Sequence, residues 1–109
     1  MKRVKFHGDA RAQLRGFPAD VCDDLGHNLR EIQKGLEPAD WKPMAAIGPG
    51  VREIRSRNRD GTWRVIYLAT LPDAVHVFHA FQKKTEKTLK RDIEIARDRY
   101  RAHMRSLER

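Results

Sequence analysis

Hydrophobic and polar positions change their period several times along the chain, and each change marks an element. Apolar residues alternate with basic ones over Lys2–His7 (KRVKFH), which predicts a short strand ended by Gly8. Asp9 then stands where a helix cap is expected, ahead of a helix over about Ala10–Gly16. Pro18 suits the first turn of a second helix. Val21, Cys22, Leu25, Leu29 and Ile32 recur at i, i+3/4 and carry that helix to about Lys34, where Gly35 is a C-terminal stop. The two helices, joined at Phe17-Pro18, read as a helical hairpin.

Leu36–Gly50 holds Pro38, Pro43, Gly48, Pro49 and Gly50 and has no period. It reads as an ordered loop pinned by Trp41, Met44 and Ile47. Three β-rich runs follow, at about Val51–Arg57, Thr62–Thr70 and Ala74–Gln82. Hairpin-like segments at Asn58–Gly61 and Leu71–Asp73 separate them. The final segment, about Glu86–Leu107, is helical in pattern, with Leu89, Ile93, Ala96, Tyr100 and Met104 on one face and charged residues opposite. The order strand, two helices, three strands, helix predicts an α+β fold in one domain spanning residues 1–109. Its sheet is a mainly antiparallel meander, with helices over a face or an end.

Composition narrows the class. A chain of 109 residues holds one modest core, and 39% hydrophobic residues in patterned runs exclude a disordered chain. No apolar run approaches a membrane span and no leader-like segment opens the chain, so no membrane association and a cytoplasmic location are expected. The single cysteine, Cys22, cannot form an internal disulfide and reads as structural. The formal charge is +8, of which residues 51–109 carry +7. A positive field concentrated in one half of a chain attracts anionic partners, although a basic surface also serves solubility alone.

The strongest chemical signal lies in that half. Arg55 and Arg57 alternate along a strand and so leave the same sheet face; Arg59 continues the series into the turn. Arg64 sits inside the apolar run WRVIYL, where a cation needs a cleft or an ion pair. Lys83 and Lys84 close the last strand. A row of fixed cations suits a polyanion, and RNA is the expected one. Solvated strand-face charges and a charged approach to a helix remain the plain alternatives. His79 shares a predicted strand face with Val75 and Val77, which fits a partly buried histidine as well as a functional one. His76 lies on the other face. His7, His27 and His103 read as structural or surface residues, and the histidine spacing gives no metal set. Trp63 and Tyr67 can stack on bases, but their strand spacing favours the core. P-loop, dinucleotide, CxxC and HExxH motifs are absent.

The run R-S-R-N-R-D-G-T-W-R-V-I-Y, followed by F-H-A-F-Q-K-K-T-E-K-T, resembles the RelE/ParE superfamily of bacterial toxins, and is most similar to its HigB-like, phage-associated branch. The resemblance follows element order over nearly the whole chain and is most specific between Arg55 and Lys90. It implies a small α+β domain and, in many members, a ribosome-dependent endoribonuclease that cuts messenger RNA. It also implies a co-encoded antitoxin, in the HigB branch a helix-turn-helix (HigA-like) protein through which operator DNA can be bound. Arg64 after Trp63 matches the family's arginine opening the third strand, Arg55 and Arg57 its alternating cations, and Lys83 and Lys84 its basic pair. Glu53 stands where an earlier cation is usual. The tyrosine that some members place on the following segment is absent, Thr85, Thr88 and Leu89 occupying that region.

Cleavage of RNA through its own 2′-hydroxyl requires loss of that proton, stabilisation of charge on the phosphorane and protonation of the leaving 5′-oxygen. Preplaced cations meet these needs without metal or cofactor. Arg64, Arg55 and Arg57 suit phosphate clamps. Lys83 or Lys84, crowded among arginines, suits proton transfer, as does His79. Arg57, Arg59, Lys87, Lys90 and Arg91 are the expected RNA contacts. Two other readings fit the same residues: a ParE-like gyrase inhibitor without nuclease activity, and a non-catalytic nucleic-acid-binding regulator.

Overall fold

The computed structural model describes residues 1–84 and 88–108. Its elements are β1 (Arg3–Phe6), α1 (Ala10–Arg15), α2 (Ala19–Gln33), β2 (Trp41–Pro43), β3 (Val51–Asn58), β4 (Gly61–Leu68), β5 (Ala74–Lys83) and α3 (Lys90–Ser106). The fold is α+β, as the element order predicts. The five strands form one mixed sheet in the order β1-β5-β4-β3-β2. β1 pairs parallel with β5, and the other pairs are antiparallel.

Helices cover both faces of this sheet. On one face α1 and α2 bury Ala10, Val21, Leu25, Leu29 and Ile32 against Ile54, Trp63, Val65, Tyr67, Val75 and Val77. On the other face α3 contributes Ala96, flanked by Ile93, Tyr100 and Met104, over Ile66, Leu68, Phe78 and Phe81. Covering both faces explains why WRVIYL and AVHVFHAF read as continuous apolar runs rather than alternating ones. It also places Trp63 and Tyr67 in the core. Gly48 lies so near the Tyr100 ring that a Cβ there would collide with it, so the loop backbone itself forms part of this second core.

Several boundaries differ from the expected ones. Within the Leu36–Gly50 loop, Trp41–Pro43 forms a short edge strand on β3; an edge position tolerates proline because its missing N–H faces no partner. Trp41 still acts as an anchor, with the Arg52 guanidinium 3.8 Å over its ring. Asp9 occupies the cap position of α1 but makes no side-chain cap bond; its carboxylate accepts from Arg99 Nη2 at 2.8 Å instead. The last helix begins at Lys90, and Leu89 is exposed at its N-cap rather than on the buried stripe. Part of the expected helix start, residues 85–87, lies outside the described residues.

One irregularity changes the chemistry. Ile66 pairs with His79 and Tyr67 with Val77, so Phe78 is an extra residue without a partner on β4. This bulge reverses the alternation beyond it. Val75 and Val77 face α1 and α2, but His79 does not share their face: its Nε2 lies 2.8 Å from Asp92 Oδ1 on α3. The expected face of His79 is thereby corrected. The carbonyl of this extra residue, Phe78, accepts from Arg99 Nη1 at 2.8 Å.

Candidate functional site

α3 covers only part of its sheet face. Beyond the start of the helix, the ends of β3, β4 and β5 and the short β2 leave a cleft of about 670 Å³, lined by Lys42, Arg55, Arg57, Arg64, Lys83, Lys84, Gly61 and Thr62. Strand register assembles it. Arg55 stands directly opposite Arg64, Arg57 opposite Thr62, Thr62 opposite Lys83, and Lys42 opposite Glu53. The two-residue turn Arg59-Asp60 fixes that register. Asn58 Oδ1 accepts from the Asp60 backbone N–H at 2.7 Å, and Gly61 at φ 148° takes a conformation that side-chain-bearing residues rarely adopt.

Two arginines facing each other across a strand pair repel. Glu53, two residues before Arg55 on the same strand face, resolves this. Its side chain is fully buried and accepts a hydrogen bond from Arg64 Nη1. The same oxygen lies 3.6 Å from Arg55 Nε and 3.9 Å from Lys42 Nζ. Thr88 Oγ1 donates to its other oxygen at 3.3 Å. Asp40 lies 3.7 Å from Arg55 Nη1 at the rim. One central carboxylate thus fixes three cations, while the lining carries six, and the cleft keeps a strong positive excess.

Burial holds the Lys83 ammonium below the ordinary lysine range. Arg64, Lys42 and Arg55 push the same way and Glu53 opposes them. Arg64 is only 4% exposed, and its Nε has no hydrogen-bond partner among the described residues; Arg55 Nε is likewise unpartnered. The cleft therefore sets guanidinium groups held by one buried carboxylate beside an amine whose proton is loosened. In chemical terms such a set is able to hold an anionic group such as a phosphate and to exchange a proton.

The structure brings together Arg55, Arg57, Arg64, Lys83 and Lys84. It does not bring His79 to them. That imidazole faces Asp92 and stacks on Phe81 at 4.9 Å, in a separate groove of about 680 Å³ that Lys84 and Arg91 also line. Arg59 is exposed on the turn outside the cleft lining, and Lys90 is exposed at the start of α3, 3.8 Å from Glu94. Lys87 and Thr85 lie outside the described residues. Tyr100 packs edge-on against Phe78 in the α3 core, away from the cations.

By sequence alone Glu53 is a departure from a basic pattern and Lys42 lies in a loop. The signal for Glu53 was its alternation with Arg55 and Arg57. None existed for Lys42, whose place depends on pairing of an aperiodic segment. The spacing of the histidines gives no metal set, yet folding gathers His7, His76 and His103 so that a ligand nitrogen of each lies within 4.8 Å of the others.

Residues 12–101, which include every residue lining the cationic cleft, match the family model described as Phage derived protein Gp49-like (DUF891). No curated protein matches the chain.

Proposed function

Because the chain belongs to the Gp49-like family of phage-derived proteins, a family of the RelE toxin type, we propose that it is the toxin of a toxin–antitoxin pair, of the HigB-like branch, and that it cuts messenger RNA on the ribosome without metal. The observation that carries this reading is the cleft itself: six cations around one buried carboxylate, with a lysine of lowered proton affinity among them. Simple phosphate neutralisation requires no such lysine and no carboxylate-locked arginine pair.

In this reading Arg55 and Arg57 clamp the non-bridging oxygens of the scissile phosphate. Arg64, immobilised by Glu53, stabilises the charge that grows on the phosphorane. The neutral amine of Lys83 removes the 2′-hydroxyl proton, and the 2′-oxygen attacks the adjacent phosphorus. The bond to the 5′-oxygen breaks, leaving a 2′,3′-cyclic phosphate, while the Lys84 ammonium gives its proton to the departing oxygen. His79, held by Asp92, braces β5 against α3. The partner is a helix-turn-helix antitoxin with an acidic segment that covers the cleft, and any operator binding comes through that partner.

The test is induction in a bacterium with RNA 5′ ends mapped, alongside a purified gyrase assay. Cuts within translated codons, lost in Lys83→Met, are expected. Intact messenger RNA with gyrase inhibition would replace this proposal with a ParE-like mechanism. RNA binding without cleavage on translating ribosomes would replace it with a non-catalytic regulator.

A further inference from the structure

Three elements remote in sequence meet at the end of the molecule away from the cleft. His7 follows β1, His76 lies near the start of β5, and His103 lies in the last turn of α3. His7 Nε2 and His76 Nδ1 are 3.0 Å apart, and the His76 and His103 ring centroids are 4.2 Å apart. His76 Nε2 lies 3.0 Å from Asp73 Oδ1. That bond places the His76 proton on Nε2 and leaves Nδ1 with its lone pair turned toward the other two rings. A carboxylate bonded to the far nitrogen of an imidazole is the arrangement that orients metal-binding histidines.

His103 Nε2 is buried and has no hydrogen-bond partner among the described residues. Packing of three rings for shape alone accounts for His7 and His76, whose nitrogens are bonded, but not for this orphan. From the orphaned nitrogen, the oriented His76 and the three-nitrogen cluster we infer a divalent-metal site of the zinc type, with His7, His76 and His103 as ligands and Asp73 as the orienting carboxylate.

The donor set suits the assignment. Three imidazole nitrogens match the preferences of Zn²⁺ and Co²⁺. A tetrahedral site with bonds of about 2.0–2.1 Å needs nitrogens roughly 3.3 Å apart. The His7–His76 pair is already near that separation, and a His103 nitrogen lies within 4.8 Å of both. Half-buried His7 gives an ion a path in, and the Phe78 ring, 4.9 Å from His7, walls one side. Lys5, opposite His76 on β1, and Arg99 oppose a dication, whereas Asp73 favours it. From His76 to Lys83 runs roughly 20 Å of strand, so the ion fastens α3 to the β1–β5 pair and takes no part in the cleft.

The experiment titrates chelator-treated protein with Co²⁺ and then displaces it with Zn²⁺. We expect visible d–d bands of tetrahedral cobalt saturating at one equivalent, and a melting temperature raised by Zn²⁺ and restored by chelator. His103→Asn and His7→Asn should abolish the bands while melting cooperatively without metal. Asp73→Asn should weaken binding about 10–100-fold. His27→Asn, on the exposed face of α2, should change nothing. Absence of tetrahedral bands in the wild type, or wild-type bands and affinity in both His103→Asn and His7→Asn, would overturn the assignment.

Discussion

Glu53 and Arg64 form a buried ion pair across β3 and β4, with Glu53 wholly inaccessible and Arg64 4% exposed. The pair lets two arginines face each other across the strands and keeps both pointing at one place. Removing one partner of a buried pair costs about 3–5 kcal/mol because the other charge is stranded. Glu53→Gln should show a loss of that size in urea unfolding. Adding Arg64→Met should recover more than 1 kcal/mol of it. Costs that add to within about 0.5 kcal/mol would mean that the two residues are energetically independent.

Lys83 should trade stability for activity. Its proton affinity is lowered in the fold relative to the ordinary 10.5. Between the folded and unfolded values the unfolded chain holds more protons, so stability rises with pH across that window. Below it, the penalty for a charged Lys83 is present in full. Lys83→Met removes the penalty. It should be at least as stable as the wild type at pH 7 and should lack the relative gain toward pH 10.5, as read from unfolding curves at a series of pH values. RNA cleavage should fall about 10²–10⁴-fold, the range for loss of a proton-transfer group. A variant that keeps cleaving at the wild-type rate would assign the base elsewhere.

Arg57 lines the cleft and Arg59 does not. Both are exposed and both belong to the same alternating series. Arg57→Gln should reduce the salt dependence of single-strand RNA binding by about 0.7 in log–log slope, the loss of one phosphate contact. Arg59→Gln should leave the slope unchanged. Equal effects would mean that RNA crosses the turn as well as the cleft.

Arg99 holds the bulge. Its guanidinium donates to the carbonyl of Phe78, the residue without a register partner on β4, and to Asp9 at the start of α1. Arg99→Met removes that hydrogen bond and should cost about 1–3 kcal/mol. The accompanying sign is faster amide exchange confined to β5 around Val77–His79 and the N-terminus of α1. Unaltered exchange there would show that the bulge stands without Arg99.

What the amino-acid order determined by itself was everything governed by neighbours along the chain. The i, i+3/4 spacing of Val21, Leu25, Leu29 and Ile32 set α2, and the Asn58–Gly61 segment set the β3–β4 hairpin. The alternation of Glu53, Arg55 and Arg57 put their side chains on one face. Adjacent strands then brought Arg55 against Arg64, which is why most of the cationic cleft was legible. Tertiary structure decided the rest. One unpaired residue, Phe78, turned His79 from the α2 face to Asp92 and out of the proposed chemistry. An aperiodic loop supplied Lys42 through edge pairing. His7, His76 and His103 met only because β1 lies parallel to β5 with α3 across them. Periodicity records which way a side chain leaves its own backbone. It carries no record of which distant backbone will lie opposite, because that choice is made by burial of apolar surface summed over the whole sheet.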